Sequence, residues 1–112
     1  MSCIFCKIVK GEIPCSKVYE DDLVLVFNDI DPQAPKHMLV IPKEHIGGAA
    51  DINKGNSHVV ARIFEVIADL SKSEGMLEGF RVVTNNGKDA GQSVDHLHFH
   101  LMGGRKFSWP AG

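Results

Sequence analysis

Three histidines alternate with apolar residues in the segment from His96 to Leu101. Successive side chains of a β-strand point to opposite faces, so this alternation predicts a half-buried strand over residues 96–101. We expect Leu97, Phe99 and Leu101 to enter a core, while the three imidazoles line the other face. Half of the chain's six histidines lie within five positions, which argues against an amphipathic strand whose polar residues are histidines by chance.

Imidazole has an unperturbed pKa near neutral pH, so a row of histidines suits proton transfer, nucleophilic attack or metal binding. A histidine that attacks phosphorus needs one neutral nitrogen aimed at it, while the other nitrogen holds its proton against an acceptor. The polar loop 85–92 is consistent with an ordinary hairpin connection. Beside the histidines, however, its amides and N–H groups, together with the Ser93 hydroxyl, can surround a phosphate. A catalytic metal site is the competing interpretation, but three histidines on one straight strand span roughly 13 Å, too far for one ion.

Cys3 and Cys6 have the Cys-x-x-Cys spacing, which suits a tetrahedral metal site or a redox pair. The strand–helix pattern of a thioredoxin-like site is not seen around them, and a zinc site needs two more ligands from elsewhere. Zinc binding and buried spectator thiols therefore both remain open on the sequence pattern alone. Cys15 has no evident partner, and we interpret it as a small buried residue.

The elements that position these side chains follow from periodicity and chain-breaking residues. Residues 3–9 predict a short helix stopped by Gly11. A longer helix over 58–74, capped by Ser57 and ended by a left-handed Gly75, carries an apolar stripe. The proline-containing segment 29–35 must be a loop. The expected strands cover residues 17–19, 23–28, 36–42, 80–84 and 96–101.

Length and composition limit the possible classes of protein. A chain of 112 residues suggests one domain, residues 1–112, with a single core. A net charge of −2 gives no support for nucleic-acid binding, and no apolar run is long enough to span a membrane. The first residues lack a signal-peptide pattern, so we expect a cytoplasmic protein whose three cysteines are not a disulfide framework.

The histidine segment, read with its flanks, resembles the histidine triad family of nucleotide-binding proteins. The family alternates three histidines with apolar residues and ends on two apolar residues, and residues 96–102 match without departure. Residues 27–37, Phe-Asn-Asp-Ile-Asp-Pro-Gln-Ala-Pro-Lys-His, and residues 103–112, Gly-Gly-Arg-Lys-Phe-Ser-Trp-Pro-Ala-Gly, resemble the Hint branch. The resemblance covers nearly the whole chain. It implies an α+β fold and a homodimer, with a five-stranded antiparallel sheet, one long helix and a short N-terminal helix.

The resemblance implies a hydrolase that cleaves purine nucleoside 5′-phosphoramidates, of the AMP or GMP type, through a nucleotidyl-histidine intermediate. His98 is the implied nucleophile, and no metal is needed at phosphorus. His100 and His37 are implied to hold phosphate oxygens, and Ser93 to contact the phosphate or the leaving group. A nucleotide-binding regulatory module without turnover and a dinucleoside polyphosphate hydrolase remain alternatives.

Other implied nucleotide contacts are distributed along the chain. Asp29 would accept hydrogen bonds from the ribose hydroxyls, since a carboxylate can accept from two donors at once. Trp109 would border the active site of the partner subunit. The remaining implied contacts, to the base and the phosphate, are Ile4, Phe5, Ile8, Phe27, Ile30, Asn85, Gly91 and Gln92. Many Hint sequences have an aromatic residue at the position of Asp95, and this departure alters the local charge.

The resemblance also implies a structural zinc that is separate from catalysis. In relatives that begin with Cys-x-x-Cys, the other ligands are the histidine after a Pro-Lys-x sequence and the first histidine of the triad. The implied ligands are therefore Cys3, Cys6, His45 and His96. Two thiolates and two imidazoles make a closed tetrahedral site, which leaves no open position for chemistry.

Overall fold

In the computed structural model, which describes residues 3–112, five strands form one antiparallel sheet in the order β1-β2-β3-β5-β4. The strands are β1 Lys17–Glu20, β2 Val24–Asn28, β3 Lys36–Pro42, β4 Phe80–Val83 and β5 Phe99–Gly103. The helices are α1 Ile4–Val9 and α2 Ser57–Ser73, with short 3-10 turns at Ala49–Asp51 and Lys88–Ala90. The expected α+β architecture is confirmed. Within residues 3–112, no helix has the length and apolar character needed to cross a membrane.

Both faces of the central strands β2 and β3 are covered, because α1 and α2 lie on opposite sides of the sheet. Side chains alternate along a strand, so one set of residues joins the core under α2 and the other set packs with Phe5 of α1. The first set is Val24, Val26, Met38 and Val40. The second set is Leu25, Phe27, Leu39 and Ile41. Two covered faces explain why these strands read as nearly continuous apolar runs.

Helix α2 covers its face of the sheet with an apolar stripe of helical period, as predicted. Its buried apolar residues are Val59, Ile63, Val66, Ile67 and Leu70. Gly75 has a φ of 72°, so it provides the left-handed stop expected from the sequence.

The start of α2 differs from the prediction, because Ser57 is its first helical residue and Asn56 is the N-cap. The side-chain oxygen of Asn56 accepts the N–H of Asn53, 2.8 Å away, and makes no capping bond to the helix. The assignment of Ser57 as the cap was therefore wrong. A preceding turn, in which the Asn56 N–H donates to the Asn53 carbonyl, displaced the cap by one residue.

The histidine segment is a strand only in its second half, since β5 begins at Phe99. The prediction of a strand over 96–101 was wrong at its start. The N–H of Leu97 donates to the carbonyl of Ile46, 2.6 Å away, so the main chain there bonds to a loop instead of to β3. The carbonyl of His98 accepts a hydrogen bond from the hydroxyl of Thr84, 2.8 Å away.

The two faces of the histidine segment are both covered. Leu97, Phe99 and Leu101 join the core under α2, as predicted. The face that carries His96 and His98 is also buried, because α1 lies over it. The histidines therefore stand in a partly enclosed site and do not form an open polar face.

A polar cluster fastens α2 to the turn between β1 and β2. One carboxylate oxygen of Asp21 accepts from the N–H groups of Leu23 and Val24, and the other accepts from the Tyr19 hydroxyl and the Arg62 guanidinium. Burial alone would raise the pKa of Asp21. The hydrogen bonds prevail and lower this pKa to about 2.

We expect Asp21→Asn to lower the free energy of unfolding by about 1–2 kcal/mol near neutral pH, because it removes a charge-assisted bond to Arg62. The pKa of Asp21 is lower in the folded chain than in the unfolded one. Its stabilisation is therefore present above about pH 4 and is lost as the pH falls toward 2. Denaturant titrations of both proteins should converge over that interval. Asp22→Asn, in the same turn, is the control, and a difference independent of pH would contradict this account.

Candidate functional site

The two central strands bring His37 and His100 together. β3 pairs with β5 so that His37 lies opposite Met102 and Leu39 lies opposite His100. Opposite residues share a face of the sheet, so the two histidines are diagonal neighbours on one face. Their ring centroids are 5.2 Å apart. The ring of His98 is likewise 5.2 Å from that of His100, which makes a continuous row of three imidazoles.

The protonation of His98 follows from its contact with the main chain. Its Nδ1 lies 2.7 Å from the carbonyl oxygen of His96. A carbonyl only accepts, so Nδ1 carries the proton and Nε2 of the neutral ring keeps a lone pair. The ring of Phe5 packs edge-on against His98 at 5.2 Å and limits its rotation. A neutral imidazole with a fixed orientation and a free Nε2 is the form that a nucleophile needs.

Asp29, His37 and His100 form a compact polar cluster. The Nε2 atom of His37 lies 2.9 Å from Nδ1 of His100 and 3.3 Å from Oδ2 of Asp29. The Nδ1 atom of His100 is 3.8 Å from that same oxygen. Burial lowers the pKa of His100, and the neighbouring His98 and His37 lower it further, while Asp29 opposes them. His100 is therefore neutral near neutral pH.

A second cluster lies at the start of the histidine segment. The Sγ atom of Cys6 is 3.2 Å from Nδ1 of His45, and Sγ of Cys3 is 3.4 Å from Nδ1 of His96. The four candidate ligand atoms of these residues lie within 4.8 Å of one another. Ligands bound tetrahedrally to zinc at about 2.0–2.3 Å are roughly 3.3–3.8 Å apart. The cluster therefore has the dimensions and the donor atoms of a zinc site.

The protonation of His96 also fits a metal ligand. Its Nε2 lies 2.9 Å from the carbonyl oxygen of Pro42, so Nε2–H donates there and the Nδ1 lone pair faces the thiols. Burial lowers the pKa of His96 despite that hydrogen bond, and neutral imidazole is the metal-binding form. Burial and the adjacent Cys3 raise the pKa of Cys6. A cation beside Cys6 would offset this rise and favour the thiolate, the form that binds a metal.

The cluster of Asp29, His37 and His100 is similar in size to the cysteine cluster, but the hydrogen bond that orients His37 is of the opposite kind. The N–H of Gln33 donates to Nδ1 of His37, 2.9 Å away. A main-chain N–H only donates, so Nδ1 must supply a lone pair and the proton of neutral His37 is on Nε2. A metal bound at Nε2 would require that nitrogen to be bare. This cluster is therefore arranged for hydrogen bonding, whereas the cysteine cluster is arranged for a metal.

The residues predicted to contact a base lie largely on the α1 side of the sheet. Phe5 and Phe27 pack edge to face with centroids 5.6 Å apart, and half-buried Ile8 packs against their cluster. Ile4 is 48% exposed and Ile30 is fully exposed. The predicted base contacts therefore comprise two buried aromatic rings, one half-buried isoleucine and two exposed isoleucines.

Gln92 has a role in the loop before the histidines that the sequence did not indicate. Its side-chain oxygen accepts the N–H of Gly87, and its amide nitrogen donates to the carbonyls of Gly47 and Val94, at 2.7–3.0 Å. This side chain thus joins three stretches of main chain. It shapes the loop that was predicted to contact a phosphate.

The other predicted phosphate contacts lie along the same loop. Gly91 has a φ of 81°, a main-chain angle that residues other than glycine rarely adopt. Asn85 is half-buried two residues after β4, and Ser93 is exposed three residues before His96. The Ser93 side chain is therefore accessible to a ligand.

The C-terminal segment is held by the rest of the chain as far as Ser108. Phe107 is contacted by the guanidinium groups of Arg81 and Arg105, at 5.0 and 4.2 Å from the ring centroid. Arg81 also donates to the carbonyl of Ser108, 2.8 Å away. Trp109 is 84% exposed, so this indole is not packed against the described chain.

Comparison with known proteins agrees with this geometry. The HIT domain matches residues 10–107. Adenylylsulfatase HINT1 of Arabidopsis thaliana is 45% identical over 111 residues, which are 97% of this chain and 76% of that protein. The 14 kDa zinc-binding protein of Zea mays is 47% identical over 111 residues, covering 97% and 87% respectively. The crystal structure of a HIT family hydrolase from Legionella pneumophila has a TM-score of 0.96 and 47% identity, covering 99% of this chain and 100% of that one. This chain belongs to the histidine triad (HIT) family.

Proposed function

We propose that this protein hydrolyses purine nucleoside 5′-phosphoramidates through a nucleotidyl-His98 intermediate. The observation that carries the proposal is the ring of His98, whose Nδ1–H is held by the His96 carbonyl while Nε2 is left bare. The name of the Arabidopsis relative, an adenylylsulfatase, supports cleavage of an adenylate, and the name of the Legionella structure supports a hydrolase. A nucleotide-binding module without turnover would not need a nucleophile with its tautomer set in this way.

The reaction takes place in two displacements at phosphorus. Nε2 of His98 forms a bond to phosphorus as the bond from phosphorus to the leaving nitrogen breaks, and that nitrogen takes a proton from solvent and departs as an amine. Water then attacks phosphorus and releases a proton to solvent, the bond to Nε2 breaks, and the nucleoside monophosphate leaves. Positive charge that builds on the ring is stabilised by the carbonyl at Nδ1–H. His100 and Ser93 donate hydrogen bonds to the phosphate oxygens or the leaving group. His37, which was expected to hold a phosphate oxygen, has its two nitrogens facing Gln33 and His100, so it acts on the phosphate through His100.

Asp29 is the proposed ribose ligand and retains free acceptor sites. Its Oδ1 accepts the N–H of Asp31, 2.8 Å away, and its Oδ2 faces His37. A carboxylate has about four lone-pair sites, so two remain for the 2′- and 3′-hydroxyls. The apolar cluster of Phe5 and Phe27 then provides a wall for the base.

We also propose that Cys3, Cys6, His45 and His96 hold a structural zinc ion. The donor set, the spacing and the tautomer of His96 all fit zinc, and the name of the Zea mays relative supports it. The ion would supply a cross-link between α1 and the histidine segment. Because α1 carries Phe5, this link would hold the aromatic ring that packs on His98.

The proposed assembly is a two-fold dimer in which each C-terminal segment reaches the other subunit's site. Apolar side chains are exposed near β4, which is an edge strand of the described sheet. Leu77 is 68% exposed and Phe80 is 39% exposed. A cavity of about 580 Å³ lies between this region and residues 104–107. Arg81 of β4 holds the carbonyl of Ser108, so a partner that covered this surface would lie next to Trp109.

His98→Ala should lower kcat for adenosine 5′-phosphoramidate by about three orders of magnitude or more, because the remaining site only binds and polarises the substrate. Affinity for AMP should change by less than about threefold. Asp29→Ala should do the reverse and weaken AMP binding through the ribose. His58→Ala, on the exposed start of α2, is the control. Hydrolysis unchanged by His98→Ala, or abolished when a chelator is present only during the assay, would refute the mechanism.

Protein purified without chelator should contain about one zinc ion per chain. Cys3→Ser and Cys6→Ser should lower both the zinc content and the melting temperature, because each removes a ligand from a site that cross-links α1. Cys15→Ser keeps all four ligands and should retain the metal. A zinc-free protein whose Cys3 and Cys6 variants melt like the parent would rule the site out.

Deletion of residues 107–112 should change the ranking of leaving groups more than the affinity for AMP, because the segment would border the leaving group in the partner's site. Trp109→Ala should reproduce part of that change. Sedimentation of the full chain at micromolar concentration should show a dimer. A monomer there, or a truncated protein with an unaltered substrate ranking, is the result that the proposal does not allow.

A further inference from the structure

The hydrogen bond from Gln33 to His37 is the first of two successive hydrogen bonds that decide which ring nitrogens of His37 and His100 carry a proton. The Nδ1 atom of His37 is occupied by the Gln33 N–H, and the ring is buried beside β5. The proton of His37 therefore lies on Nε2, which is 2.9 Å from Nδ1 of His100. Two N–H groups cannot face each other at that distance, so Nδ1 of His100 accepts and carries no proton.

The remaining proton of His100 must then be on Nε2. The alternative places the proton of His100 on Nδ1 and directs it to Asp29. That contact is 3.8 Å long, beyond hydrogen-bond range, and it would leave two donors opposed across 2.9 Å. The direction of donation therefore runs from Gln33 to His37 and from His37 to His100. His98 shows the complementary arrangement, since its proton is on Nδ1 and its bare nitrogen is Nε2.

We propose that the main-chain N–H of Gln33 is a positioning group that makes His100 a hydrogen-bond donor through Nε2. The inference rests on the proposed function, in which His100 faces an anionic phosphate. With the Gln33 N–H in place, His98 presents a lone pair to phosphorus and the adjacent His100 presents a proton to a phosphate oxygen or the leaving group. If the direction of donation were reversed, Nε2 of His100 would point a lone pair at the phosphate and would no longer stabilise the negative charge that builds on its oxygens during the reaction.

The loop that carries this N–H is held from two sides. The side-chain amide of Gln33 donates to the carbonyl of Asp31, 3.1 Å away. Arg105, in the segment after β5, donates from Nε to the carbonyl of Gln33, 3.0 Å away. The N–H of Asp31 in turn donates to Asp29. The bond from Arg105 holds the Gln33 peptide in position without using the Gln33 side chain, so the N–H can impose a direction on the two rings.

The test replaces a single main-chain group in the full-length protein. Incorporation of the α-hydroxy analogue of glutamine at position 33 exchanges the N–H for an ester oxygen and keeps the side chain. Gln33→Pro also removes the N–H, and Gln33→Ala keeps it while removing the side chain. Long-range 1H–15N spectra of the labelled proteins report which nitrogen of His37 and of His100 carries the proton, whether or not a substrate is turned over.

We expect Nδ1 of His37 and Nδ1 of His100 to be unprotonated in the parent and in Gln33→Ala. The ester variant should shift both rings toward the opposite tautomer and should lower kcat by about tenfold, with KM changed by less than about twofold, since one hydrogen bond is removed. A fall in kcat without any change of tautomer would indicate a merely structural role and would overturn the inference.

The measurements distinguish a failure of the Gln33 proposal from a failure of the proposed function. A proton on Nδ1 of His37 in the parent, together with hydrolysis that depends on His98, would overturn only the role of Gln33. The expected tautomers in a parent protein that does not hydrolyse phosphoramidates would overturn the proposed function and leave the orientation by Gln33 intact. An ester variant that keeps both the parent tautomers and the parent kcat would overturn the role of Gln33 whatever the substrate proves to be.

Discussion

The pairing of β3 with β5 is the constraint on which the site depends. It places His37 and His100 on the same face of the sheet, near enough for their rings to share a hydrogen bond. A slip of one residue would turn one of these histidines toward α2 and the opposite face. The register is held by apolar side chains, since Met38 and Leu101 are opposite one another and both are buried in the core under α2. The same burial that stabilises the sheet therefore aligns the imidazoles.

Once the rings are aligned, main-chain groups decide what each of them can do. A carbonyl at one nitrogen makes an imidazole a lone-pair donor at the other, and this is the situation of His96 and His98. A main-chain N–H has the opposite effect and makes His37 a hydrogen-bond donor. Two clusters with similar spacing can therefore have different chemistry, one suited to a metal and one to hydrogen bonds with an anion. Spacing alone does not separate them, whereas the partner of the second nitrogen does.

The sequence predicted much of this arrangement and missed the parts that depend on main-chain atoms. The alternation around His98 identified Leu97, Phe99 and Leu101 as core residues, because burial follows side-chain type. The family resemblance, and not the Cys-x-x-Cys spacing, pointed to His45 as the neighbour of Cys6. The later start of β5 could not be read from the pattern, since it depends on a distant loop at Ile46. Every non-proline residue carries an N–H, so no residue type marks Gln33 as the one that contacts His37.

His96 belongs to both halves of the site through different atoms. Its ring nitrogen faces the cysteines, while its carbonyl oxygen holds Nδ1–H of His98. The main chain of His96 and one hydrogen bond thus connect a candidate metal ligand to the candidate nucleophile. Phe5 adds a second connection, because it lies on the helix that carries Cys6 and packs on the rings of both histidines. A cross-link that fixed the ring of His96 would also fix the carbonyl, so an ion with no contact to phosphorus would still contribute to the orientation of the nucleophile.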